Sequence, residues 1–449
     1  MNPSRDDTIA APATAAGNAA VAIVRLSGPQ ALAIARGLAR VEPRPRLAEL
    51  CVFRDASGAI IDHGLLLFFP APHSYTGEDV VELQCHGGRV VSDALLKRAY
   101  ALGARAAEPG EFTLRAYLND KLDLLQAEAI ADLIASGSLQ AARAAQRSLD
   151  GEFSAAVATL QAALTKLRVR IEAWLDFPDE ELPFDAAPQC VAEVDALLAG
   201  LEALTARARS GRALRDGLSV AIAGPPNAGK SSLLNRLAGY DAAIVTDIPG
   251  TTRDPLREQM LLDDLPVTIV DTAGLRETAD PIEREGVRRT RVEVTRADRV
   301  LWVADARTVL ATSLDEARAA VGAETPFTLL LNKVDLTDAA PGTSVQDGVT
   351  IVRVSALTGA GIDLLVAHLK EVAGLGTEVA GAFSARRRHL DALARVRGHL
   401  LAARAELAGA LELTAEHLRR TQTALGELTG ELTSDDLLGQ IFATFCIGK

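Results

Sequence analysis

The apolar positions of this chain change their period along its length, and four regions follow from that change. Over residues 1–120, short apolar runs alternate with loop-forming clusters. Residues 20–26, 64–69 and 79–84 read as strands and 92–102 as a helix, while the Gly-, Pro- and Asp-rich stretches 70–79 and 106–112 read as loops. From Lys121 to Arg215 the period becomes helical. Leu160, Leu164, Leu167, Ile171 and Trp174 recur at steps of 4, 3, 4 and 3, which puts them on one helix stripe. Two prolines and several acidic residues in 177–185 then interrupt it.

Residues 216–376 alternate buried-strand candidates (218–223, 267–270, 300–304, 328–331 and 350–354) with helical stretches, which predicts right-handed βαβ units and a mainly parallel sheet. Residues 377–449 return to helix, with Leu393, Val396, Leu400, Leu407 and Leu411 near one face. Neither helical flank, 121–215 or 377–449, holds a complete core alone. The pattern therefore predicts that they pack together, with the α/β domain inserted between them.

Composition narrows the class. At 449 residues the chain has room for about three domains of roughly 150 residues each. Its 48% hydrophobic and 24% charged content excludes a disordered chain. The net charge of −12 excludes a protein that binds nucleic acid through a globally positive field; such a partner would need a local basic patch or a second protein. The clearest local run is Arg386-Arg387-Arg388-His389, either a solvated helix start or a contact for nucleic-acid phosphates. Cys51, Cys85, Cys190 and Cys446 lie far apart with no CxxC, which fits a reducing cytoplasm better than a disulfide framework or zinc site. No apolar run is long enough to cross a bilayer, and Asp6 and Asp7 stand where an export signal needs positive charge. A cytoplasmic protein without a membrane partner is expected.

The chemistry is written in the inserted domain. Gly224-Pro225-Pro226-Asn227-Ala228-Gly229-Lys230-Ser231 fits G-x-x-x-x-G-K-[ST], follows a strand and opens a helix through Ser232. Backbone N–H groups of such a loop wrap phosphates. Lys230 is expected on the β and γ phosphates and Ser231 on Mg²⁺. Asp271-Thr272-Ala273-Gly274 ends the next strand, where a carboxylate can hold Mg²⁺ through water and the Gly274 N–H can sense the γ phosphate. In Asn332-Lys333-Val334-Asp335, the Asp335 carboxylate can accept from guanine N1–H and N2–H₂ together, a donor pair adenine lacks. Ser355-Ala356-Leu357 offers a backbone N–H toward guanine O6. In this order the elements describe a GTPase. Between loop and strand, Thr246-Asp247-Ile248-Pro249-Gly250-Thr251-Thr252 is positioned to close over the γ phosphate and Mg²⁺, with Thr252 as the metal-facing threonine.

Two features expected for water activation are missing. Leu275 stands after DTAG where a water-orienting Gln would be, and no arginine is placed as a finger. Asn227 can instead ligate a monovalent cation near the phosphates. An acidic residue further along must then orient water, and spacing leaves Glu277, Glu283 and Glu285 open.

These motifs, with GTTRD, DTAGLRET, KLDLLQAEAIADLI (121–134), LDFPDEE (175–181), TSDDLLG (433–439) and the terminal Phe445-Cys446-Ile447-Gly448-Lys449, resemble the MnmE/TrmE family of tRNA modification GTPases along the whole chain. The resemblance implies a multidomain fold: an N-terminal α+β tetrahydrofolate-binding and dimerisation domain (1–120), a discontinuous helical domain (121–215 and 377–449) and an inserted Ras-like P-loop G domain (216–376). It implies a homodimer working in a heterotetramer with the FAD-containing MnmG. Together they add an aminomethyl or carboxymethylaminomethyl group to C5 of the tRNA wobble uridine, using a tetrahydrofolate one-carbon unit and potassium-dependent GTP hydrolysis. By the resemblance, K⁺ falls to Asn227 with the backbone of Thr246, Ile248 and Thr251, Mg²⁺ to Ser231 and Thr252, and water orientation to Glu283. The folate contacts fall on Arg25, Glu82, Lys121 and Lys449. Cys446 alone would read as a small buried apolar residue, or as a poor prenylation box; the resemblance instead carries the tail to the folate site and the thiol into the modification. This chain departs from the family at Gly17-Asn18-Ala19-Ala20, where a glycine-rich basic GRGG is common, and at Pro249, where Ala is common. A regulatory GTPase that switches a ribosome-assembly or signalling partner is the alternative.

Overall fold

The computed structural model describes residues 7–176, 186–239, 257–271, 297–308, 310–322, 325–375, 381–407, 409–431, 435–446 and 448, with a few of these as backbone only. They form two compact units. One comprises residues up to Ala131, Ser148–Leu197 and Arg395 onward; the other comprises Asp132–Arg147 and Leu198–Ala394.

The first unit holds a six-stranded sheet in the order β3-β4-β5-β2-β1-β6. Its strands are β1 (Ile9–Pro12), β2 (Val21–Ser27), β3 (Glu49–Arg54), β4 (Ile60–Phe69), β5 (Val80–His86) and β6 (Arg105–Ala106). Neighbours run antiparallel except β1 and β6. The period of two sends Val24, Leu26, Leu66 and Leu83 to one face, where Ile34 and Leu38 of α1 (Ala31–Ala39) and Leu95 of α2 (Arg89–Ala101) complete the core. Arg25 and Glu82 point to the other face and are direct register partners.

The three strands and the helix read from the sequence are all present, with shifted ends. The short strands β1, β3 and β6 and the helix α1 are additional. The stretch 106–112, expected as loop, instead ends β6 and starts α3 (Glu111–Leu118) at Gly110. Gly110 has φ 68°, and a Cβ there would lie 2.7 Å from the Phe442 carbonyl oxygen, so only glycine lets the chain turn against the C-terminal helix.

Helices follow: α4 (Leu124–Ile134), α5 (Leu139–Leu149), α6 (Glu152–Asp176) and α7 (Ala186–Asp216). The C-terminal part supplies α11 (Arg387–Glu406), α12 (Leu411–Thr429) and α13 (Asp435–Ala443). The predicted stripe on α6 is its core face at Leu164, Leu167 and Ile171, and it extends back through Val157 and Phe153. It packs along α12, where Leu418, Leu425 and Leu428 are buried, so the two flanks do share a core. Leu393, Val396 and Leu400 lie on the buried face of α11, but that helix ends at Glu406, and Leu411 begins α12 rather than continuing the stripe.

In the second unit a seven-stranded sheet runs β12-β13-β11-β10-β7-β9-β8. Its strands are β7 (Leu218–Ala223), β8 (Arg257–Leu262), β9 (Leu265–Asp271), β10 (Arg299–Asp305), β11 (Phe327–Asn332), β12 (Gly342–Gln346) and β13 (Val349–Arg353). The five central strands are parallel, as expected, and both edges, β8 and β12, are antiparallel. Among the described residues, helices α8 (Lys230–Ala238), α9 (Leu310–Val321) and α10 (Ile362–Val372) belong to the same domain.

A buried carboxylate joins the segments that lead into and out of this domain. Asp132 accepts from Arg215 Nε at 2.7 Å, Arg386 Nη2 at 2.9 Å and Ser384 Oγ at 2.5 Å. No described helix is long and apolar enough to cross a membrane.

Candidate functional site

The phosphate loop leaves β7 at the centre of the sheet and turns directly into α8. Gly224 (φ 140°) passes so close to β10 that a Cβ would sit 2.1 Å from the Val303 carbonyl oxygen. Gly229 (φ 96°) is the N-cap of α8 and has no side chain, so the helix N-terminus presents bare N–H groups. Lys230 Nζ lies inside the loop, donating to the carbonyls of Gly224 and Pro225 at 2.8 Å each. Ser231 and Ser232 are exposed in the first turn. Asn227 is also exposed, and its backbone is left-handed at φ 60°, uncommon for a residue with a side chain.

The loops after β11 and β13 are bolted to this loop. Buried Asn332, at the end of β11, donates to the Ala228 carbonyl at 2.9 Å and accepts from the Ala356 N–H at 2.9 Å. One amide thus spans phosphate loop and Ser355–Leu357 turn, and the Ala356 N–H is committed to it. Lys333 Nζ donates to the Asn227 carbonyl at 2.6 Å and to Asp305 Oδ2 at 2.9 Å. Asp335 stands exposed on the short turn Val334–Leu336, its carboxylate oriented by the Ser355 hydroxyl. Arg236 of α8 donates to the carbonyls of Ala356 and Leu357.

Reading the sequence missed Arg236 and Asp305. The signal for Asp305 was its place at the carboxyl end of a central strand, where open α/β sheets carry their sites. Arg307 first, then Lys333, holds the Asp305 carboxyl well below the usual carboxylate range.

Asp271 ends β9 opposite Ile222 of β7, which brings its backbone beside the phosphate loop. Its side chain, Thr246–Thr252, Thr272–Gly274, the candidates Glu277, Glu283 and Glu285, and Lys449 lie outside the described residues.

On the other face of the N-terminal sheet, Arg25 donates through Nε (3.0 Å) and Nη2 (2.8 Å) to Glu82 Oε1. Its guanidinium also lies over the rings of Tyr75 (5.5 Å) and Phe112 (5.8 Å), two aromatics that pattern reading did not single out. Lys121 is exposed, and its Cε packs near Gly77 of the Tyr75 loop, where a Cβ would lie 3.2 Å from it. The Asn119 side chain donates to the Thr76 carbonyl at 2.8 Å. The loop 70–79 therefore links Arg25 to the turn before Lys121.

An ionic cluster anchors the same loop. Buried Arg115 meets Glu78, Glu111 and Asp7. Burial opposes ionisation of Asp7, but Arg105 and Arg115 outweigh it and hold its carboxyl below the ordinary value.

The C-terminal tail is seated in this unit. The Gly110 N–H donates to the Cys446 carbonyl at 3.4 Å, and Phe442 and Phe445 pack with Leu114 and Leu124. Gly448 abuts Pro12, where a Cβ would lie 1.9 Å from the carbonyl oxygen; Pro12 is the β1 neighbour of Ala11, the register partner of Arg25. Cys446 is exposed, contrary to the buried apolar reading, and Phe445 takes the buried position instead. Burial pushes the Cys51 and Cys85 thiols up to about 11. The basic run is only partly a surface feature: Arg386 pairs with Asp132, and buried His389 accepts through Nδ1 from the Arg386 N–H.

Residues 8–121 match the family model described as GTP-binding protein TrmE N-terminus, and residues 124–446 match that of the MnmE helical domain. The tRNA modification GTPase MnmE of Alkalilimnicola ehrlichii is 54% identical over 446 residues, covering 98% of this chain and 99% of its own. That of Nitrosococcus oceani is 53% identical over 449 residues, covering 99% and 97%. Among solved structures, the G domain of the T. maritima FeoB iron transporter is 25% identical at a TM-score of 0.26, covering 35% of this chain and 98% of that one. Matched by both family models and by relatives of nearly its full length, the chain belongs to the MnmE/TrmE family of tRNA modification GTPases.

Proposed function

We propose that this chain is a potassium-activated GTPase that acts as a homodimer with the FAD-containing MnmG. The complex would add an aminomethyl or carboxymethylaminomethyl group to C5 of the tRNA wobble uridine, drawing the one-carbon unit from a tetrahydrofolate. The observation that carries the reading is Asn227, exposed and left-handed on a phosphate loop that Asn332 and Lys333 fasten to the guanine-reading turns. An exposed amide oxygen suits a hard monovalent cation, and a serine hydroxyl in the first turn of α8 suits Mg²⁺.

In this reading Asn227, with backbone carbonyls of Thr246, Ile248 and Thr251, holds K⁺, and Ser231 with Thr252 holds Mg²⁺. The bound cations supply positive charge against the phosphates, where an arginine finger is lacking. Lys230 binds the β and γ phosphates, Asp335 selects guanine, and Glu283 orients the attacking water. Arg25, Glu82, Lys121 and Lys449 bind the folate. The ion pair to Glu82 supports a division of roles. Arg25 is already neutralised, so Lys121 and Lys449 suit the folate carboxylates, while Glu82 suits the pterin donors.

The test compares GTP turnover in potassium and sodium chloride. Turnover should be faster in potassium, and Asn227→Ala should flatten the difference; equal wild-type rates in both salts would refute the cation role. Mass spectrometry of tRNA nucleosides from a deletion strain tests the modification. Intact wobble nucleosides, together with no formyl-tetrahydrofolate binding by the chain, would leave the regulatory alternative.

A further inference from the structure

The contact between the guanine-reading loop and the phosphate loop has a counter-ion. Lys333 Nζ sits between the Asn227 carbonyl (2.6 Å) and Asp305 Oδ2 (2.9 Å). The residues at both ends of this contact are strained: Lys333 has φ 70° and Asn227 φ 60°, left-handed values that side chains rarely adopt. Such conformations persist where surrounding contacts over-determine them. Here one ammonium joins the two. Asp305 is itself fixed from two sides. It is the register partner of Asn332 across β10 and β11, and the Ala306 N–H donates to the Asn332 carbonyl at 2.8 Å. On the solvent side Arg307 donates to its carboxylate through Nε (3.0 Å), Nη2 (2.8 Å) and its own N–H (3.1 Å). A closed chain of contacts thus runs from Arg307 through Asp305 and Lys333 to Asn227.

We propose that Asp305 is a positioning residue: it holds the Lys333 ammonium on the backbone of Asn227 and so ties the guanine-reading loop to the shape of the phosphate loop. Asp305 acts on the loops through Lys333. Without it the ammonium swings free, Asn227 loses its restraint, and nucleotide and cation are bound by a looser loop. The cation part rests on the potassium reading above; the nucleotide part does not.

The experiment uses the full chain and a fluorescent GDP analogue. Asp305→Asn keeps the shape and removes the charge. Its dissociation constant for the analogue should rise about tenfold, the usual effect of losing one charge-assisted hydrogen bond, while the thermal melt of the nucleotide-free protein stays at the wild-type value. Asp305→Glu should recover part of the affinity. Arg307→Ala, which keeps its own backbone N–H on the carboxylate and leaves the Lys333 contact in place, should lose less than Asp305→Asn. In a Lys333→Met background, Asp305→Asn should add no further loss. Wild-type affinity in Asp305→Asn, or losses that simply add in the double variant, would overturn the proposal. Measuring the same constants in potassium and sodium separates the two readings. In Asp305→Asn the ratio between the salts should narrow, whereas salt-independent affinity in the wild type sinks only the cation reading and leaves the nucleotide comparison decisive.

Discussion

Asp132 offers the sharpest stability test because one carboxylate serves three donors on two distant segments. Its side chain is 5% exposed and accepts from Arg215, Arg386 and Ser384. Asp132→Ala leaves two guanidinium groups converging on an empty position. Removing one partner of a buried ion pair costs about 3–5 kcal/mol. Arg215 is 32% exposed and Arg386 14%, so water recovers part of the loss and the lower end, about 3 kcal/mol, is expected. With a urea dependence of about 2–3 kcal/mol per molar, the midpoint should fall by roughly 1 M. The two tryptophans allow a local reading, since Trp174 belongs to one compact unit and Trp302 to the other. In a Trp174→Phe background, the fluorescence of Trp302 reports only the unit that contains Asp132. Asp132→Asn retains an acceptor and should lose about half as much. An unchanged Trp302 midpoint in Asp132→Ala would refute the reasoning, because it would mean that the two arginines find equal partners elsewhere.

The remaining predictions concern the site and its surroundings. Gly224→Ala would force a Cβ to 2.1 Å from the Val303 carbonyl oxygen, so guanine-nucleotide affinity should drop by about tenfold or more while far-ultraviolet dichroism keeps its helical signature. His368 is buried between α10 and β11, with Nε2 2.8 Å from the Thr328 hydroxyl. Burial first, then Arg299, lowers its pKa below 6.5, although Glu371 pulls the other way. Because protonation favours the unfolded chain, its contribution is complete above the unfolded value and is lost as pH falls through 6.5 toward the lower folded one. The Trp302 urea midpoint should therefore fall between about pH 7 and about pH 5, and His368→Gln should flatten that slope; an identical slope in the variant would assign it to other groups. Cys446→Ser should abolish wobble-uridine modification but spare GTP hydrolysis, and a fully modified tRNA pool would remove the thiol from the chemistry.

Much of the fold was legible because its signals are local. The phosphate loop needs two glycines, a lysine and a helix start within one short stretch, and each of these stands where the spacing put it. The α6 stripe was legible because a buried helix face repeats within a few residues, and Leu164, Leu167 and Ile171 obey that period. The same rule misled at Leu411. The leucines keep their spacing through the turn that separates α11 from α12, and periodicity cannot see a break that preserves phase. The short β1 and β6 carry too few residues for a period of two to emerge, and the edge strands β8 and β12 lack the continuous apolar run that marks the central strands.

What stayed hidden were residues whose role is set by a partner far away in sequence. Arg386 read as the head of a basic run, yet its guanidinium belongs to Asp132, 254 residues earlier. Asn332 read as part of a base-recognition motif, but its amide also fastens the phosphate loop at Ala228, 104 residues away. Arg25 was expected, by family resemblance, among the folate contacts; only the register of β2 against β5 shows that it is paired with Glu82. In each case the residue type was recognised, but its partner inside the fold was not. The omission has a common physical cause. A buried or half-buried polar group must be satisfied in the folded chain before any ligand arrives, and the fold draws its partners from whatever topology brings near. For a charged residue at a candidate site, the first question is therefore which counter-ion the sheet register or helix crossing supplies. Only the remaining capacity is open to substrate, and at Arg25 the pair with Glu82 reduces it.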